Sequence, residues 1–88
     1  MDYKAGITLK CNTIKGEEWI RVGQAVRVIQ RKSERSIEVF EISGEIIDIF
    51  RMLKGSAEGK PTFGFCVKTI DEKIRIVNMN LVNEIEIL

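Results

Sequence analysis

The sequence predicts an all-β protein, a small barrel of about five to seven antiparallel strands with one short helical turn before the last strand. Several short segments alternate between apolar and polar residues, polar or glycine-containing turns separate them, and none sustains a helical period. Because 88 residues are too few for two independent cores, we predict a single domain spanning residues 1–88. A composition of 44% hydrophobic and 31% charged residues is typical of a chain that folds unaided.

The longest segment rich in strand formers runs from Ser36 to Phe50 and carries apolar residues on both of its faces. A flat strand with one dry face does not give that pattern, whereas a strand that bends and joins two walls of a closed sheet does. Glycine tolerates a bulge or kink within a strand. We therefore predict that Gly44 lies at a bulge or sharp bend of this central strand.

The elements before the central strand are a hairpin and a third strand. Alternation from Ile7 to Ile14 predicts the first strand, and a polar turn leads back into the apolar segment Trp19–Val22. In the next strand Val26 and Val28 share the face that we expect to be buried. A charged hairpin loop, residues 31–35, then leads into the central strand.

The elements after the central strand complete the sheet. Small and polar residues from Gly55 to Pro61 predict the most mobile internal segment. A strand over 62–70 should carry Phe63, Phe65 and Val67 on one face. The remaining predictions, in order, are a tight turn at 71–73, a strand at 74–77, a helical turn at 78–81 and a closing strand at 82–88.

Composition argues against an enzyme. The chain has no His, which removes the commonest general base and the commonest transition-metal ligand. The carboxylates Glu41, Glu45 and Asp48 have no local partner suited to catalysis, and Cys11 and Cys66 are expected to be structural thiols. We predict no catalytic residue, no cofactor and no metal. Without a long apolar segment or a signal-peptide pattern, the expected location is cytoplasmic, with no membrane association.

Positive charge is concentrated in the N-terminal part of the chain. Residues 1–36 hold eight Lys or Arg against four acidic residues, and residues 37–88 hold six against nine. This asymmetry is typical of a polyanion-binding face, although it also arises by chance when two halves interleave. The candidate nucleic-acid-binding residues, with RNA as the expected ligand, are Trp19, Arg21, Arg27, Arg31, Lys32 and Arg35. Trp19 would stack on a base, or, in the alternative interpretation, lie buried and anchor the barrel.

The order of elements resembles that of the SH3-like and Sm-like small β-barrels over residues 22–88. The resemblance is carried by Val22-Gly23-Gln24-Ala25-Val26-Arg27-Val28 at its start and by Ile76-Val77-Asn78-Met79-Asn80-Leu81-Val82-Asn83-Glu84-Ile85 at its end. It implies a fold whose members include RNA-binding, ribosome-associated and peptide-binding modules. The aromatic groove of peptide-binding SH3 domains is not evident here, so no ligand-binding residue is carried over.

Two function hypotheses follow. The first is a non-catalytic regulatory or assembly module that acts through protein-protein interaction, in which an exposed edge strand such as Ile7 to Ile14 or Asn83 to Leu88 pairs with a partner protein or a second copy. The alternative is a small RNA-binding barrel that uses the basic face. We favour the first, because a net charge of +1 is too balanced for a dedicated nucleic-acid binder.

Overall fold

A computed structural model of the protein describes residues 8–52 and 62–88 and confirms the all-β fold class. Its strands are antiparallel, and the described residues contain no α-helix. A single 3₁₀ turn precedes the last strand, as predicted, and the predicted mobile segment Gly55 to Pro61 lies outside the described residues. The strands are β1 (Thr8–Thr13), β2 (Gly16–Arg21), β3 (Ala25–Arg31), β4 (Val39–Met52), β5 (Thr62–Thr69), β6 (Ile74–Asn78) and β7 (Val82–Ile87), with the 3₁₀ turn at Met79–Leu81.

The described strands form two sheets and do not close into one barrel. β1 and β2 make a two-stranded sheet, and the other strands make a five-stranded sheet in the order β6-β5-β4-β3-β7. The backbone amide of Ile14, just after β1, donates to the carbonyl of Ile85 in β7 at 3.0 Å. The hairpin is therefore attached to β7, whereas β6 forms the opposite edge of the larger sheet.

The central strand β4 pairs with different neighbours along its length, but the described strands do not form the closed sheet that its apolar pattern predicts. Its first half pairs with β3 and its second half with β5, and Gly44 belongs to both ladders. The bulge is not at Gly44, however, because the register shifts between Ile46 and Asp48. Gly44 lies where β5 passes very close: a Cβ atom there would lie 2.1 Å from the Lys68 carbonyl oxygen. Glycine is needed at this position for space rather than for a bulge.

The core lies on one face of the larger sheet and under the hairpin. Val26 and Val28 are buried as predicted, Val67 is also buried, and Phe65 is the largest fully buried side chain among the described residues. Phe63 shares their predicted face but remains 39% exposed, because it lies near the end of β5. The other buried apolar residues are Cys11, Ile20, Ile42, Ile46, Ile49, Val77 and Ile85.

One buried polar side chain ties the 3₁₀ turn to β3. The Oε1 atom of Gln30, which is buried, accepts a hydrogen bond from the Asn78 amide at 2.9 Å. Asn78 in turn accepts at its side chain from the Asn80 amide and so caps the turn. Arg31 donates to the Asn80 carbonyl at 2.8 Å. These bonds fix the end of β6 against β3, because a buried amide oxygen is strongly favoured to keep its partner.

Candidate protein-interaction edge

β6 presents an unpaired backbone edge. The amide of Thr69 donates to the carbonyl of Lys73 at 2.8 Å, which sets the alternation of the β5–β6 ladder. In an antiparallel pair, consecutive residues direct their peptide groups alternately toward and away from the partner strand. The backbone peptide groups of Arg75 therefore face β5, while those of Ile74 and Ile76 face away from β5, at the open edge. Within the described residues, the outward peptide groups of Ile74 and Ile76 have no hydrogen-bond partner.

The same two residues expose large apolar side chains. Ile74 and Ile76 are each 62% accessible to solvent. They share the outer face of the sheet because they are two residues apart in a strand. Ile76 lies opposite Cys66, which is half-buried, and Ile70 in the adjoining turn is fully exposed. Natural sheets normally protect an edge with charge, proline or a covering segment, so the exposed Ile74 and Ile76 beside open peptide groups make this edge a candidate binding surface.

Arg75 lies between the two isoleucines and points to the other face of the sheet. There it lines a shallow cavity of about 380 Å³, with Phe40, Glu41, Ile42, Ser43, Thr69 and Asp71. Asp71 accepts a hydrogen bond from the Thr69 hydroxyl, which is the main reason that the pKa of its carboxyl is lowered. Its carboxylate also lies 3.8 Å from the Lys73 ammonium. Arg75 has no hydrogen bond or ion pair in the part of the chain that the structure describes.

The structure places Arg27 inside a carboxylate cluster rather than on an open basic face. Its guanidinium nitrogens lie 2.9 Å from Glu84, 3.0 Å from Glu86 and 3.2 Å from Glu41. Hydrogen bonds to Glu86 first, then to Glu41, raise the pKa of the Arg27 guanidinium. One cation among three carboxylates leaves the cluster with a net charge of −2, which repels phosphate at this position.

Two more of the predicted basic residues have partners nearby. Arg31 donates to the backbone carbonyls of Glu34 and Asn80, and the Lys32 ammonium lies 2.9 Å from the Glu38 carboxylate. Arg35 is exposed in the loop between β3 and β4. The candidate RNA-binding cations on β3 and in the following loop are thus largely engaged within the domain.

Trp19 and Arg21 lie on β2, in the smaller sheet, apart from the other candidates on β3. Trp19 is 54% exposed, so the interpretation as a buried anchor is wrong. The Lys10 ammonium lies 5.7 Å from the centre of its ring, within the range of a cation–π contact. The exposed indole therefore already has a cation on one side.

Cys11, Cys66 and Asp48 lie in surroundings that are partly or wholly shielded from solvent. Burial, and secondarily Glu18, raises the pKa of the Cys11 thiol, while burial and then Asp48 raise that of Cys66. Both thiols are therefore protonated and weakly nucleophilic at neutral pH. One carboxylate oxygen of Asp48 is buried without a hydrogen-bond partner among the described residues. Across residues 8–52 and 62–88, no group of three His, Cys, Asp or Glu side chains could hold a metal ion.

The edge at β6 differs from the two edges suggested by the sequence. β7 pairs with β3 on one side and receives the Ile14 amide on the other, so it is partly covered. β1 pairs with β2 on one side along its length, and among the described residues no strand pairs with its other side, so β1 also remains an edge strand. Strand order is set by contacts between distant segments, and no local pattern reveals it. The alternation of Ile74, Arg75 and Ile76 was the available signal, since it shows that one face of this strand is apolar.

Comparisons with known proteins give no further guidance to function. The chain matches no protein-family model, and no curated protein or solved structure is significantly similar to it. Among the described residues, no helix is long and apolar enough to cross a membrane. The assignment of function therefore rests on the β6 edge and on the charges around it.

Replacing Arg27 with Ala should lower the melting temperature, because Glu41, Glu84 and Glu86 then repel one another without a central cation. Arg27→Lys should have a smaller effect, because its ammonium keeps the positive charge. Some loss should remain, because an ammonium lacks the planar guanidinium that bonds to all three carboxylates. Thermal melts at about 0.05 and about 0.5 M NaCl measure the difference from the parent, which salt should reduce. Equal melting temperatures for the parent and the Ala variant at low salt would contradict a stabilising cluster.

Proposed function

We propose that this chain is a non-catalytic interaction module that binds an extended segment of another protein along β6. The observation that carries the proposal is that Ile74 and Ile76 combine outward, unpaired peptide groups with side chains that are each 62% exposed. Strand addition to a sheet edge obtains affinity from main-chain hydrogen bonds and specificity from alternate side chains. The β6 edge offers open peptide groups for the main-chain bonds and exposed isoleucine side chains for the side-chain contacts.

We further propose that the larger sheet is an SH3-like or Sm-like small barrel. The order β6-β5-β4-β3-β7, the long strand shared by two ladders and the 3₁₀ turn before the last strand support this fold. The hydrogen bond between Gln30 and Asn78 supports it as well, because it joins β3 to the end of β6 across the sheet. Because the described strands do not close, β6 remains at the edge of this sheet, where a strand can be added.

RNA binding is the weaker candidate. The exposed Trp19 favours it, because base stacking on an aromatic ring is sequence-tolerant and worth about 1–3 kcal/mol per base. The carboxylates around Arg27 and the partners of Arg31 and Lys32 disfavour it, because these cations no longer present free charge to phosphate. A labelled single-stranded RNA, titrated at about 50 mM salt, tests this alternative directly.

The substitution Ile76→Pro should abolish strand addition while leaving β6 in place. Proline removes the outward amide of residue 76, which is not used in the ladder with β5, and proline is tolerated at the open side of an edge strand. We expect the parent, tagged and recovered from its own cell, to retain a protein that the variant retains at least about tenfold less, a difference of roughly 1.4 kcal/mol. Quantitative mass spectrometry of the two samples measures this.

The matched control is Ile76→Thr, which keeps the amide and the branched shape but removes apolar area, and it should lose less binding than the proline variant. Amide exchange of the free domain checks the premise, because Ile74 and Ile76 should exchange much faster than Arg75 and Val77. Slow exchange at Ile76, or identical sets of proteins on the parent and on a folded proline variant, would contradict strand addition at this edge.

A further inference from the structure

We propose that the segment bound at β6 carries an acidic residue between two apolar residues, with the acid opposite Arg75. This inference rests on the proposed function and adds the chemical class of the partner. Two features of β6 carry it: the face to which each of its side chains points, and the positive charge of Arg75.

The register of an added strand follows from the open peptide groups. An antiparallel segment that uses the outward groups of both Ile74 and Ile76 is centred on Arg75, with one of its residues directly opposite each of these three. Side chains of directly opposed residues share a face. The two flanking residues of the segment therefore lie beside the exposed isoleucines, and its central residue lies beside Arg75 and the cavity of about 380 Å³.

On that face, Arg75 is the cation that lies directly opposite the central residue of an added strand, and the carboxylates Glu41 and Asp71 line the same cavity. Asp71 is held by the Thr69 hydroxyl and the Lys73 ammonium, and Glu41 lies 3.2 Å from Arg27. Among the described residues, Arg75 makes no hydrogen bond and no ion pair within 4.0 Å, and its charge acts on the Asp71 carboxylate only at longer range. An acidic residue directly opposite it completes a cross-strand ion pair, whereas a basic residue is repelled.

The same argument disfavours a second copy of this chain. An antiparallel pairing of two β6 strands in this register places Arg75 opposite its own symmetry mate, so like charges face each other in a closely spaced, non-hydrogen-bonded pair. A different polypeptide with an apolar–acidic–apolar triplet avoids that repulsion and still covers Ile74 and Ile76. The charge of Arg75 therefore disfavours pairing of β6 with β6 of a second copy of this chain.

The test uses a labelled nine-residue peptide of alternating Thr and Val with one central Glu flanked by Val, and two further peptides in which Gln or Lys replaces the Glu. In fluorescence anisotropy titrations at about 50 mM salt, we expect the Glu peptide to bind about threefold to fivefold tighter than the Gln peptide and at least about tenfold tighter than the Lys peptide. Arg75→Glu should reverse the order, whereas Arg75→Lys should keep it. Arg21→Glu, an equal charge change on β2, should leave the order as in the parent.

The outcomes separate this inference from the proposed function. If all three peptides bind equally and Ile76→Pro weakens each of them, the edge is confirmed and the acidic preference is overturned. If the parent sediments as a dimer that Ile76→Pro dissociates, the occupant is a second copy, and the acidic partner is likewise overturned. If none of the peptides binds at concentrations up to about 1 mM, both proposals are contradicted.

Discussion

Gly44→Ala is expected to destabilise the domain by about 3 kcal/mol or more, because the new methyl group has no space. A Cβ atom at this position would lie 2.1 Å from the Lys68 carbonyl oxygen, 2.8 Å from its carbonyl carbon and 2.9 Å from a Val67 methyl group. The first two atoms belong to the backbone of β5, so the ladder between β4 and β5 must open to relieve the overlap. Overpacking of this kind usually costs about 1 to 3 kcal/mol, and more where backbone must move. The melting temperature should then fall by roughly 12 °C or more.

Gly23→Ala is the matched control for Gly44→Ala. Gly23 has a φ of +99°, a backbone conformation that L-residues rarely adopt, but no atom lies within 4 Å of a Cβ placed there. Its substitution should therefore cost only about 1 to 2 kcal/mol, through backbone strain alone. Thermal and urea unfolding of both variants measure the difference. If Gly44→Ala proves no more harmful than Gly23→Ala, the close approach of β5 is not what requires glycine in the central strand.

Gly44 shows what the sequence can predict and what it cannot. Apolar residues on both faces of residues 36–50 correctly predicted a long strand inside the sheet, because burial leaves a local periodic signal, but the described strands do not form the closed sheet that was also predicted. The reason for the glycine was not predictable in the same way. It depends on β5, more than twenty residues away, whose backbone passes against Gly44. The bulge at Ile47 likewise follows from the register between two distant strands.

The sequence likewise predicted one part of the candidate site and not the other. The strand at 74–77, the turn before it and a helical turn at 78–81 were predicted from local chemistry, and the structure adds that Asn78 caps the 3₁₀ turn. The edge position of β6 was not, since the order of strands depends on pairings between segments far apart in the chain. Arg27 alternates with the buried Val26 and Val28, a pattern that predicted a side chain facing solvent. Its guanidinium nevertheless bonds to Glu84 and Glu86 of β7, which are 57 and 59 residues away in the sequence. A count of charges along the chain therefore overestimated the free basic surface.

Phe65→Ala is expected to destabilise the domain by about 3 to 5 kcal/mol. Phe65 has no exposed surface and is the largest of the fully buried side chains, so removing its ring leaves a cavity in the centre of the core. A domain of 88 residues is typically stable by roughly 4 to 13 kcal/mol, so this one substitution removes a large part of the total. The expected fall in melting temperature is roughly 12 °C or more.

Phe63→Ala provides the comparison for Phe65→Ala, because it removes the same ring from the same strand and from the face that the sequence alone assigned to both. Phe63 is 39% exposed near the end of β5, where solvent can occupy the space that the ring leaves. We therefore expect its loss to cost about 1 kcal/mol, close to the average for single substitutions. Urea unfolding of the two variants gives both free energies. Equal losses would show that the two rings are buried alike, which would contradict the placement of Phe65 in the core and of Phe63 at its margin.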